Sequence, residues 1–98
     1  MLYAVRFSDK PEQLAVRQAQ LQAHLDWLEK HKDVVLIGGS LRDAPGEKPV
    51  GGLWLVEAPN KIVIEELLRT DPFWIHGLRE GYEIFFWSKA FPEKKISV

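Results

Sequence analysis

The chain has no cysteine, so disulfides, thiolate metal sites and thiol nucleophiles are all excluded. It also has almost no net charge. Thirteen basic residues stand against fourteen acidic ones, a formal −1. No long run carries one sign; Glu93-Lys94-Lys95 comes nearest. The basic footprint of a nucleic-acid binder is therefore missing. No apolar stretch is long enough to cross a bilayer. The first residues lack the basic, apolar and cleavage regions of a signal peptide. These absences lead us to expect a soluble, cytoplasmic protein with neither a membrane nor a nucleic-acid partner.

What is present suits one globular unit. Ninety-eight residues at 46% hydrophobic content can build one core, so residues 1–98 are read as a single domain. The end, 92–98, is expected to be a loosely held tail. Leu2 to Phe7 reads as a strand: apolar, partly β-branched, and short. Pro11 is expected to open a helix running to about Lys30, with Glu12 in its first turn. Leu14, Leu21, Leu25 and Leu28 have helical spacing and form its apolar face. His24 lies about 60° from the centre of that stripe, at the border between core and solvent, and Arg17 shares the border.

Val34 to Leu41 is the second strand, where Gly38-Gly39 suggests a bend or a close backbone approach. Arg42 to Pro49 is a polar loop, and Gly51 to Glu57 a third strand antiparallel to the second. Ile62 to Arg69 reads as a second helix; Pro72 starts a short further turn through about His76. Tyr82 to Phe91 is the fourth strand. The order β-α-β-β-α-β predicts a ferredoxin-like α+β fold, an antiparallel four-stranded sheet with both helices on one face. The third and fourth strands, however, are apolar on both sides: Trp54 and Val56 oppose Leu53 and Leu55, and Tyr82, Ile84 and Phe86 oppose Phe85, Trp87 and Phe91. Two helices cover only one side. The other would be a large apolar patch, which marks an interface, so a homodimer packed sheet to sheet is expected.

Three chemistries are weakly supported. His24 and His31 are seven residues apart, about 10 Å along a helix, too far to share one ion, so no metal is expected. Gly52-Leu53-Trp54-Leu55-Val56 faintly resembles an RNA-reading strand, but Val50 stands where a basic residue should precede it. The glycine pairs 38–39 and 51–52 are not followed by a helix carrying Lys-Ser/Thr, so no phosphate cradle is suggested. One arrangement remains. Asp71 precedes Pro72, which forces Asp71 into an extended conformation and suits the first helical turn. Asp71 is then either a plain helix cap or a carboxylate aimed at His24. An imidazole exchanges protons near neutral pH, and a carboxylate on one ring nitrogen fixes its tautomer.

These residues resemble the YCII-related domain family. The resemblance rests on Arg17, His24-Leu25-Asp26-Trp27-Leu28, Gly38-Gly39-Ser40-Leu41, Gly51-Gly52-Leu53, Glu57-Ala58, Asp71-Pro72-Phe73 and Gly77-Leu78. The family's turn after the second strand often reads Gly-Pro-Leu, where this chain has Gly39-Ser40-Leu41. The resemblance implies a dimeric α+β barrel, similar to muconolactone isomerase, with an active site on a His and an Asp that map to His24 and Asp71. It also implies dehydrochlorination of a chlorinated hydroxyquinol as one activity of the family.

Together these point to a small-molecule enzyme using His24 and Asp71 for elimination or isomerisation of a small cyclic or aromatic substrate, with no cofactor. Arg17 or Arg42 would hold an anionic oxygen, with Ser40, Trp54, Phe73 and Trp87 as further substrate contacts. The alternative is a non-catalytic dimer that binds a metabolite or a partner, with the His–Asp pair as a structural bond.

Overall fold

The computed structural model describes residues 1–93. The elements run β1 (Leu2–Asp9), α1 (Leu14–Lys30), β2 (Val35–Leu41), β3 (Gly51–Glu57), α2 (Lys61–Leu68), α3 (Pro72–Ile75) and β4 (Arg79–Phe86). The strands form one sheet in the order β2-β3-β1-β4, and every pairing is antiparallel. This is the ferredoxin-like plan. The tail expected at 92–98 lies largely outside the described residues. Among those described, no helix is long and apolar enough to cross a membrane.

Register decides which side chains share a face. Val5 lies between Trp54 and Ile84, and Phe7 between Gly52 and Tyr82. Tyr3, Val5, Phe7, Trp54 and Val56 therefore project together, and all are buried beneath Trp27 of α1 and Ile64 and Leu68 of α2. Each such side chain contributes about 1.5–3 kcal/mol when fully removed from water. Trp27 stacks on Trp54 at 5.2 Å between ring centroids. The other face of the sheet carries Ile37, Leu53, Leu55 and Phe85, of which Leu55 is buried and the rest exposed. That face is not wholly apolar, because Arg6 and Glu83 pair across β1 and β4 at 2.6 Å.

Three expectations about the elements change. Helix α1 starts at Leu14; Pro11 and Glu12 form a turn before it, and Glu12 has φ 60°, a left-handed conformation incompatible with a helical first turn. Strand β4 starts at Arg79 and ends at Phe86; it pairs with β1 from Asp9↔Arg79 to Tyr3↔Phe86, and the Trp87 N–H donates to the Leu2 carbonyl just past its end. The apolar stripe of α1 does not face the core. Leu14, Leu21 and Leu25 are exposed, while Arg17, His24 and Trp27 are buried.

Candidate active site

The short helix α3 builds the centre of the site. Asp71 is extended at φ −69°, ψ 130°, as a residue before proline must be, and its side chain accepts from the Phe73 N–H at 3.1 Å. The same oxygen, Oδ1, lies 2.7 Å from His24 Nδ1 on α1. Both side chains are almost fully buried. Phe73 completes the unit: its ring stacks on the imidazole at 3.9 Å with 12° between planes. Ring position and carboxylate orientation are thus set by one helix start. Trp27, one turn beyond His24, donates from Nε1 to Thr70 Oγ1 at 2.9 Å, tying α1 to the residue that precedes Asp71.

A second buried cluster also meets Phe73. Asp9, at the end of β1, accepts from Arg17 at 2.6 Å and from Arg79 at 2.8 Å, one carboxylate oxygen for each. Both guanidiniums lie 5.1 Å from the Phe73 ring centroid, and Arg79 also sits 4.5 Å over Phe7. Burial pulls the Arg79 pKa below its ordinary value; the bond to Asp9 and its charge oppose that, and neighbouring Arg17 adds to it. Arg79 Nε is the one buried side-chain polar atom left without a hydrogen-bond partner among the described residues. The glycine pair opening β3 makes room for this cluster. A Cβ on Gly52 would sit 3.2 Å from Arg79 Nη2, and one on Gly51 would sit 2.1 Å from the Phe7 carbonyl oxygen, which no side chain tolerates.

Above the two clusters opens a cleft of about 550 Å³. Its base includes His24, Phe73, Arg17 and Arg79; one wall is the leucine stripe of α1, and the other is β2 with the 42–49 loop. Gly38 allows the close approach expected of it: a Cβ there would be 3.3 Å from both Leu28 and Trp54. Of the residues singled out in the sequence, Arg17, His24, Ser40, Arg42 and Phe73 line the cleft, and Asp71 lies under it, bonded to His24. Arg17 is not a free surface cation, since Asp9 holds it. Arg42 donates to the Glu47 carbonyl at 2.6 Å and so braces the loop. Trp54 and Trp87 do not line the cleft. Trp54 is in the core at 1% exposure, stacked under Trp27, and Trp87 leaves the sheet at the far end of β4. His31 and His76 sit at the C-caps of α1 and α3. Among the described residues no three acidic or histidine side chains gather as a metal ion would require.

Asp9 and Arg79 belong to the candidate site without any motif in the sequence to mark them. Seventy positions separate them, and only strand register brings them together.

Comparison with solved structures sets this geometry in context. The 5-chloro-2-hydroxyhydroquinone dehydrochlorinase of Burkholderia phenoliruptrix, solved with 2,5-dihydroxybenzoquinone, superposes with a TM-score of 0.81 at 27% identity, covering 90% of this chain and 94% of that one. Two others share the fold alone. A candidate antibiotic biosynthesis monooxygenase from Bacteroides thetaiotaomicron matches at TM-score 0.59 and 16% identity, covering 99% and 95% of the two chains. SnoaB, a cofactor-independent oxygenase from Streptomyces nogalater, matches at 0.52 and 11%, covering 94% and 96%. No curated protein matches the chain by sequence. The family model described as the YCII-related domain matches residues 1–88, and the chain belongs to that family.

Proposed function

We propose that this protein is a small-molecule enzyme of the YCII type, in which His24 moves a proton on a small ring compound and Asp71 orients the imidazole. The observation that carries this reading is the 2.7 Å contact between His24 Nδ1 and Asp71 Oδ1 at the base of an open cleft. With Nδ1 committed to Asp71, Nε2 is the ring nitrogen that serves the substrate. The dehydrochlorinase at 27% identity supports elimination as the reaction class. In that chemistry Nε2 takes a hydroxyl proton from the ring compound and returns it to the chlorine-bearing carbon; a second hydroxyl then gives its proton to Nε2 as the carbon–chlorine bond breaks with its electrons, leaving a quinone and chloride. The imidazolium, steadied by Asp71, then gives its proton to water. Isomerisation uses the same first step, with the proton returned to another carbon. Proton transfer of this kind contributes about 10²–10⁴-fold. Arg17, held by Asp9, and Arg42, on the facing loop, supply positive charge for an ionised ring oxygen. Ser40 offers a hydroxyl from β2, and Phe73 an apolar surface beside the imidazole.

The functional unit is read as a homodimer. Ile37, Leu53 and Phe85 stand exposed on the sheet face that the helices leave bare, 37%, 41% and 53% accessible. A second sheet packed there would bury them, with Arg6 and Glu83 paired at its margin.

The test is chloride release from a panel of chlorinated hydroxyquinols, with wild-type protein and His24→Ala. We expect turnover in the wild type and loss of about 10²-fold or more in the variant. A His24→Ala protein with undiminished turnover ends the proposed mechanism. Ligand binding without turnover on any panel member would favour the binding-module alternative, in which Asp71 acts only as the cap it also is. Sedimentation at micromolar concentration tests the dimer, and a single-chain mass refutes it.

A further inference from the structure

Helix α1 is inverted relative to an ordinary amphipathic helix. Its buried side carries Arg17, His24 and Trp27, while Leu14, Leu21 and Leu25 are exposed and Leu28 is packed against the core. Leu14, Leu21 and Leu25 are 44%, 44% and 47% exposed. They are not scattered over the surface. All three line the same cleft as His24, together with Leu28. Along the helix axis the four leucines span about 21 Å.

Size makes the same point. A cavity of about 150 Å³ is enough to hold benzene. The cleft, at about 550 Å³, is more than three times larger. A single ring placed against His24 and Phe73 would leave most of it, and the whole leucine wall, in water. Charge is distributed unevenly as well. The cations Arg17, Arg42 and Lys48, which outnumber the one lining carboxylate, Glu47, suit the oxygens of an acidic ring, whereas the α1 wall is four leucines with Gln18 as its uncharged polar member.

We propose that the substrate is an acidic ring compound bearing an apolar side chain, with the ring at His24 and the chain laid along the leucines of α1. This rests on the enzyme assignment above and adds the substrate class. It makes Leu14, Leu21 and Leu25 specificity determinants and explains why a water-facing helix side keeps three leucines.

The probe is 2,5-dihydroxybenzoquinone and its 3-alkyl homologues from methyl to hexyl, titrated by calorimetry into the full-length protein. Affinity is expected to rise about two- to fourfold per methylene over the first several carbons, the upper figure matching full burial of each group. In the double variant Leu21→Gln/Leu25→Gln the rise should fall below about 1.5-fold per methylene. Both sites are exposed and glutamine is a good helix former, so the fold should hold, which circular dichroism checks. A flat series in the wild type, with the unsubstituted ring still bound, overturns this proposal alone and leaves the His24 mechanism standing. If no member binds, both fall. If the double variant lowers the mass of the assembly in solution, the stripe is an interface between copies and the proposal is overturned.

Discussion

Two buried ionic clusters meet at the ring of Phe73, and they are built on opposite principles. On one side Asp71 meets an imidazole and a backbone N–H. On the other, Asp9 meets two guanidiniums. A guanidinium has donors and no acceptor, so neither arginine of the Asp9 cluster can take a proton from a substrate. An imidazole has a ring nitrogen that can accept a proton, so the Asp71 cluster contains a base. The first kind can hold a structure in place but cannot move a proton. The second can do both, which is why chemistry is assigned to His24 although both clusters reach the same cleft.

The sharpest way to break this comparison is to remove the carboxylate from the fixed cluster. Asp9→Asn leaves two neighbouring guanidiniums buried with no counter-charge. Breaking a buried pair in this way costs about 3–5 kcal/mol. A domain of this size has only about 5–15 kcal/mol in total, so the loss should be plain in urea unfolding at pH 7. A loss under about 1 kcal/mol would mean that the arginines escape to solvent and that the cluster holds nothing together.

The matching change in the other cluster should act on rate instead. Asparagine at position 71 can still cap α3 through its side-chain oxygen, so Asp71→Asn should lower stability by less than about 1 kcal/mol. It removes the negative charge that steadies the imidazolium, and turnover should fall about 10²–10⁴-fold. Unfolding and steady-state kinetics on the same variant separate the two effects. If Asp71→Asn destabilises as much as Asp9→Asn, the two clusters are of one kind and the catalytic assignment loses its basis.

The two clusters also differed in how far the sequence disclosed them. Asp71 announced itself, because an Asp before Pro constrains its own backbone and names its own role as a cap. His24 stood out as one of three histidines and by its place on a helix facing the same side of the sheet. The family pattern joined the two. Asp9 and Arg79 gave no local sign. Their contact depends on the register between β1 and β4, including an irregularity after Ser8, and register is a property of the assembled sheet. The order of elements along the chain was readable for a related reason: short apolar, β-branched runs and glycine–proline punctuation are local. The orientation of α1 was not. Periodicity identifies an apolar stripe but cannot say whether it meets a core or a cleft: Leu14, Leu21 and Leu25 line the cleft, and Trp54 lies in the core. Strand β4 ends at Phe86 although its apolar run continues past that residue.

A smaller effect is expected at the joint between α1 and α3. Trp27→Phe keeps an aromatic ring against Trp54 but removes the donor to Thr70, whose hydroxyl also donates to the Leu67 carbonyl at 2.7 Å. One such bond contributes about 0.5–1.5 kcal/mol. Because Thr70 adjoins Asp71, a loosened joint should blur the placement of the carboxylate. Turnover is therefore expected to fall by a few-fold, with a stability loss of about 1 kcal/mol. Lost stability with unchanged turnover would show that α3 positions Asp71 without help from α1.

The smallest effect concerns a third polar pair, far from the cleft, which has an ionisable donor but much more solvent. Tyr82 donates to Glu65 at 2.7 Å. That bond, then partial burial, then the charge of Glu65 raise the tyrosine pKa above its ordinary value near 10, while Arg69 pulls the other way. The raised value means that the folded state favours neutral Tyr82. Its contribution is fully present below pH ~10, where the tyrosine is neutral folded or unfolded, and is lost as pH rises through the folded-state value. The urea midpoint of the wild type should therefore fall more steeply between pH 9 and 11 than that of Tyr82→Phe, which has no proton to lose at this position. Parallel curves would mean that solvent already screens the pair, so that a bond this exposed does not couple the tyrosine's protonation to stability.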